Sequence, residues 1–190
     1  DSLSPDALRY RLQIGSRGEK TITLAYGCAS ANRPVQIGTF TRSLAAAEEL
    51  ARREGRPPTE VHAADAAFNS WVRRAGADIG MLLTATPQGR VPAAGLPWLD
   101  ATFGRDAIIT ALQTLWLWPD IARDVLRHLA ATQCADSSAG HGAETGKILY
   151  ESRGSLPRNY FAIDTTPLFV MLAGAYYTRT ADVGLMTELW

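Results

Sequence analysis

The apolar helical pattern DAIITALQTLWLW at residues 106–118 runs straight into Pro119, and a second apolar helical pattern begins at that proline. A proline inside a helix removes a hydrogen bond and clashes with the preceding turn, so the first helix has to stop. The same residue is favoured in the first turn of the next helix, where its missing N–H would have had no partner anyway. The spacing therefore predicts two helices that meet at a corner with almost no connecting chain and pack antiparallel. Ile108, Leu112, Leu115 and Trp116 are expected on the buried side of the first helix. Ile121, Val125, Leu126 and Leu129 form the stripe of the second, with Asp120 in its first turn.

Nearer the N-terminus the period is different. Leu8, Tyr10, Leu12 and Ile14 alternate as in a half-buried strand, and Ile22, Leu24 and Tyr26 do so again after a turn at residues 16–20 containing Gly18. A β-hairpin over residues 8–26 is expected. Two strands bury little surface alone, so it reads as the last strands of a larger β domain or as a hairpin resting on helices. Ser43 is a plausible N-cap for SLAAAEELARREG, which Gly55, Pro57 and Pro58 end. That helix and its Pro-rich tail, residues 43–58, read as a linker between a first domain at 1–42 and a second at 59–190.

The second domain is expected to be mainly α. A helix over residues 63–83 sets Phe68, Trp71, Val72, Ile79 and Leu82 at helical intervals, with Gly76 as a place to bend. A loop with three prolines and two glycines spans 86–102. Residues 134–163 form a long loop of low periodicity, a length that usually signals function or disorder. A further helix starts after Asp164, with Pro167 in its first turn and Leu168, Phe169, Leu172 and Tyr176 on one face, and another starts near Ala181. Helix pairs joined by alternating short and long loops suggest a toroid or solenoid whose long loops gather on a binding side.

Composition excludes several functions. Nineteen basic and nineteen acidic residues leave no net charge, and no basic stripe interrupts the balance, so nucleic acid is not an expected partner. No apolar run approaches the roughly 20 residues that cross a bilayer, so no membrane is expected. Cys28 and Cys134 read as two buried free thiols, and His62, His128 and His141 lack metal-ligand spacing. No metal or organic cofactor is expected. Lys147 follows Gly146 without the spacing of a phosphate loop. The chain begins at Asp1 and stops at Trp190 within a helical pattern, and both ends are expected to be cuts.

Chemistry concentrates in GLPWLDATFGRD at 95–106 and in the second half of the long loop. Arg105 and Asp106 at a helix start can grip vicinal hydroxyls, the guanidinium donating and the carboxylate accepting, which makes sugars natural ligands. Asp106 can equally cap its helix while Arg105 pairs with a neighbour. Trp98 and Phe103 can stack on a sugar ring or fill the core. Glu151, beside Arg153, is a candidate to face a pocket; Asp164, near Tyr160, is either a pocket residue or the cap of the helix that follows it.

Taken together, PAAGLPWLDATFGRDAIITALQTLW, GKILYESR and DTTPLFVML resemble the bacterial amylo-α-1,6-glucosidase and glycogen debranching enzyme-like family, over about residues 78–182. The resemblance implies a β-sandwich followed by an (α/α)6 barrel of the glucoamylase-like, six-hairpin glycosidases. It makes residues 1–42 the end of the sandwich and 59–190 the first part of the barrel, with about four barrel helices at 63–83, 105–118, 119–133 and 165–180. It implies that Arg105 and Asp106 hold the terminal sugar, that Trp98 and Phe103 line the same subsite, and that Glu151 and Asp164 sit on neighbouring loops. Tyr150 stands where relatives usually have histidine, and Thr145 where proline is common. Inverting hydrolysis needs an acid and a base about 6.5–9.5 Å apart. The family carries them after its fifth and near its eleventh barrel helix, so the resemblance leaves no catalytic residue in this chain.

The expectation is a cytoplasmic glycoside hydrolase acting on α-glucosidic linkages in an oligo- or polysaccharide, of which this inactive fragment carries part of the sugar subsite. Its other partner would be the missing C-terminal part of its own barrel. Without that part, apolar faces such as those of Leu112 and Leu126 would lack cover and lower its solubility. The alternatives are a non-catalytic carbohydrate-binding chain and a helical scaffold for protein partners.

Overall fold

A computed structural model describes residues 2–4, 7–24, 38–54, 57–138, 140–153 and 156–190. The chain divides into two compact units, Asp1–Glu49 and Leu50–Trp190. In the first, β1 (Ser2–Ser4) pairs antiparallel with β2 (Ala7–Arg9) in the register Ser2↔Arg9 and Ser4↔Ala7. The expected hairpin over 8–26 differs from this. Its turn exists, with the Gly18 N–H donating to Gly15 O at 2.9 Å and Arg17 at φ 60°, but no ladder joins the flanking residues that are described. Leu12, Ile14, Ile22 and Leu24 are exposed, so among the described residues no layer covers them, and alternation alone did not suffice to build a sheet there. Tyr26 and Cys28 lie outside the described residues.

Helix α1 (Phe40–Glu54) crosses the division between the units. It starts before Ser43, because Thr39 does the capping: its Oγ1 accepts from the Arg42 N–H at 3.4 Å, and its carbonyl from the Ser43 N–H at 2.9 Å. Ser43 is therefore a helical residue. The helix ends at Glu54, and Gly55 lies outside the described residues.

In the second unit α2 (Ala66–Leu82) begins at Asp65, whose Oδ1 accepts from the Ala67 and Phe68 N–H groups at 2.7 and 3.0 Å. The helix runs unbroken through Gly76, which is buried against Pro57; a Cβ there would stand 3.2 Å from the proline Cδ. Close approach, not bending, is what this glycine serves. Val72, Ile79 and Leu82 are half-buried, but Phe68 and Trp71 are exposed, their rings 5.9 Å apart.

Where a loop was expected from residue 86 there is a hairpin. β3 (Leu83–Thr86) and β4 (Gly89–Pro92) pair antiparallel around Pro87 and Gln88, with Thr86 opposite Gly89. Gly89 has φ 139° and touches α4 so closely that a Cβ would fall 2.3 Å from Asp124 Cγ. The Arg90 N–H donates to Asp124 Oδ2 at 2.9 Å, and Val91 enters the core.

Helices α3 (Gly104–Thr114) and α4 (Pro119–Ala131) form the predicted corner. Ile121, Val125, Leu126 and Leu129 are all buried, so Leu126 has its cover within this unit. The face of α3 is rotated from expectation: Ala107, Ile108, Ala111 and Thr114 are buried, Leu112 and Leu115 are partly covered, and Trp116 is exposed. The helix stops at Thr114, whose carbonyl accepts from the Leu117 and Trp118 N–H groups, so residues 115–118 no longer advance at the helical period. Trp118 turns inward instead.

The long loop after α4 is built into a small sheet. β6 (Gly140–His141), β7 (Glu151–Ser152) and β8 (Arg158–Asn159) join β5 (Thr102–Phe103) in the order β5-β7-β8-β6, with β6 parallel to β8 and the other pairs antiparallel. Tyr160 lies fully buried beneath it, its hydroxyl donating to Thr132 O at 2.9 Å. Helix α5 (Thr165–Thr180) follows and packs on α3 and α4 with Leu172 and Tyr176 inward. It ends at Ala181 in the left-handed region, and α6 (Val183–Leu189) begins at Asp182, whose Oδ1 accepts from the Leu185 N–H. That bond and the Tyr176 hydroxyl on Oδ2 hold the Asp182 carboxyl below its usual range. The unit is thus mainly helical, and no helix among the described residues is long and apolar enough to cross a membrane.

Candidate functional site

The first turn of α3 is held against the sheet by its glycine. The Gly104 N–H donates to Tyr150 O at 2.8 Å, and a Cβ on Gly104 would lie 1.9 Å from Leu149 O, so only glycine admits this approach. Two strand pairs do the rest: Phe103 stands opposite Glu151, and Glu151 opposite Asn159. The chain thereby brings four separate stretches together around the mouth of α3.

Arg105 leaves this mouth toward α5. Its Nη1 donates to Asp164 Oδ2 at 3.1 Å, with both side chains about two-fifths exposed. The bond and charge of Asp164 push the Arg105 guanidinium further above its ordinary value, so it is a permanent cation. The guanidinium also lies over the Tyr150 ring, 5.4 Å from its centre. Asp164 does not cap α5 through its side chain, since its own φ and ψ of −89° and −24° are already helical and an N-cap requires extended backbone. Its Oδ1 is enclosed without a donor, as is the hydroxyl of the adjacent Thr165.

Phe103 is buried, with Tyr150 nearly perpendicular to it at 6.0 Å and the Arg153 guanidinium over its ring at 5.3 Å. It supports the cluster from below. Glu151 is half-buried and accepts from Arg153 Nε, so its carboxylate is already neutralised.

The remaining two expected residues, Asp106 and Trp98, are both exposed. Asp106 lines a concavity with Ile79, Leu82 and Pro92, and its charge adds to that of Asp164 on the Arg105 guanidinium. Trp98 is 85% exposed, which rules out the core reading. Its loop is closed by reciprocal bonds between Gly95 and Leu99, N–H to O at 3.2 and 2.9 Å, and contains a cis peptide before Pro97.

Tyr150 is the cluster member that sequence reasoning passed over as a ligand-facing side chain. The available signal was an aromatic next to Glu151, one residue out of phase with the strand pair that positions it. Among the described residues no group of three His, Cys, Asp or Glu side chains is placed to hold a metal. Cys134 is buried and free. His62 pairs with exposed Glu60, and His128 with Gln88. No model of a known protein family matches this chain, and no curated protein matches it.

Proposed function

We propose that this chain supplies part of the sugar-binding subsite of a glycoside hydrolase acting on α-glucosidic linkages, of the inverting amylo-α-1,6-glucosidase-like kind. In this reading α2 to α5 belong to an (α/α)6 barrel, the N-terminal strands to a β-sandwich, and the acid and base to residues outside this sequence. The observation that carries it is the Arg105–Asp164 pair at the joint mouth of α3 and α5, beside the Tyr150 ring. A guanidinium has five N–H donors, and Asp164 engages one here, so Arg105 keeps donors for hydroxyl oxygens while the carboxylate can accept from neighbouring hydroxyls. Tyr150 offers an aromatic surface of the kind on which a pyranose rests.

Glu151 and Asp164 are each engaged by an arginine, so neither stands as a free general acid or base. The same fact favours the second reading, a non-catalytic carbohydrate-binding chain. Calorimetric titration with glucose, isomaltose and maltotriose tests the common part: binding is expected, and is weakened roughly ten- to a hundredfold in Arg105→Ala. No heat with any of the three overturns it. Release of glucose by the 190-residue chain alone would contradict a role confined to binding.

A further inference from the structure

A second concavity lies between residues 57–62 and α2. Its walls are Pro57, Val61, Val72, Ala77 and Leu117, and it encloses about 290 Å³. Leu117 follows the C-terminal end of α3, whereas Arg105 is in the first turn. At 1.5 Å per helical residue these ends are roughly 15 Å apart, so the two places are separate. An apolar cavity of about 150 Å³ suffices for a benzene ring, so this one has room for a ring and a short polar tail. Its size lies close to the lower end of small-molecule sites, roughly 300 Å³, and its apolar walls stand beside four polar residues, Thr59, Glu60, His62 and Arg73.

Those polar groups are not equivalent. The Glu60 carboxylate is engaged by His62, Nε2 to Oε2 at 3.1 Å. On α2, Arg74 is paired with Asp78 at 2.8 Å, while its neighbour Arg73, which lines the concavity, makes no ion pair or side-chain hydrogen bond among the described residues. Arg73 is therefore a rim cation with no partner among the described residues, in a planar fork that suits two carboxylate oxygens, while Glu60, whose histidine partner is a cation only when protonated, stands at the same rim as an anion.

We propose that this concavity binds small organic acids, the apolar body lying between Val61, Val72 and Leu117 and the carboxylate accepting from Arg73. The affinity comes from the apolar body, and the preference for an acid from the guanidinium. An exposed ion pair contributes at most about 1 kcal/mol, a factor of roughly five in affinity.

Titration of the intact chain with phenylacetate, followed by NMR of the Val61, Val72 and Leu117 methyl groups, tests this against the neutral isostere phenylacetamide. Both ligands should move these methyls, the acid binding about fivefold tighter. Arg73→Gln should reduce phenylacetate to the level of the amide and leave the amide unchanged, and Ala77→Leu, which fills the space, should abolish both. Methyls that move with neither ligand, equal affinity of acid and amide, or a preference for the acid that survives in Arg73→Gln would each overturn the proposal. Should Ala77→Leu disturb α2, the acid-to-amide comparison in Arg73→Gln still decides. Sugar binding at Arg105 is a separate measurement and is unaffected by either result.

Discussion

Arg105 donates from Nη1 to Asp164 Oδ2 across 3.1 Å and so joins the first turns of α3 and α5, although the two residues stand 59 positions apart. An aspartate before a proline-containing first turn would ordinarily fold back on its own helix. Here its backbone has already entered the helix, and the carboxylate reaches outward to the guanidinium instead.

Arg105→Ala is expected to lower affinity for glucose oligomers roughly ten- to a hundredfold, the worth of one or two hydrogen bonds from a charged donor. Arg105→Lys should recover little, because an ammonium lacks the planar fork. Calorimetry on both variants checks this, with circular dichroism confirming that α3 and α5 remain.

Gly104→Ala places a Cβ 1.9 Å from the Leu149 carbonyl oxygen, and backbone cannot step aside cheaply. A loss of at least about 2 kcal/mol is expected in urea denaturation. Gly174→Ala is the control: it lies inside α5 with nothing within 4 Å, so it should add about 0.5–1 kcal/mol.

Ala181 ends α5 at φ 54°, a conformation a Cβ disfavours by about 1–2 kcal/mol. Ala181→Gly should raise stability by about 1 kcal/mol, read as an upward shift of the melting temperature.

Tyr160→Phe removes a fully buried hydroxyl and leaves the Thr132 carbonyl without its 2.9 Å donor. A cost of about 1–2 kcal/mol is expected. A loss as large as that of Tyr160→Ala would show instead that ring packing is disturbed.

Burial, and secondarily the Arg158 charge, push the His128 imidazole below its ordinary value. The unfolded chain then takes up the proton more readily than the folded one. Stability is therefore greatest above about pH 6.5, where both states are neutral, and falls as pH drops toward the lowered folded value. His128→Gln should flatten this part of the profile in denaturation measured at a series of pH values. An unchanged slope would assign the acid sensitivity to another group.

Much of the helical framework was legible in the sequence. Pro119 and the stripe from Ile121 to Leu129 specify α4 because a helix period and a proline constraint are local properties. The hairpin at 83–92 was also within reach, since Thr84, Thr86, Pro87 and Gly89 form a strand and turn pattern that the prolines beyond it obscured. Residues 134–163 were not legible. Their strands are two residues long, too short for alternation to show, and each exists only because a partner such as Phe103 or Asn159 lies beside it.

The candidate site divides along the same line. That Arg105 and Asp106 stand at a helix start follows from the residues themselves, because capping chemistry and apolar periodicity act within a few positions. That Arg105 meets Asp164 over Tyr150, that Asp106 borders Ile79, Leu82 and Pro92 and that Trp98 stays exposed were decided by tertiary structure. Side-chain direction depends on where α3 ends, how closely Gly104 lets the sheet approach and which carboxylate arrives from α5. Those are packing choices between distant stretches, and no local pattern encodes them.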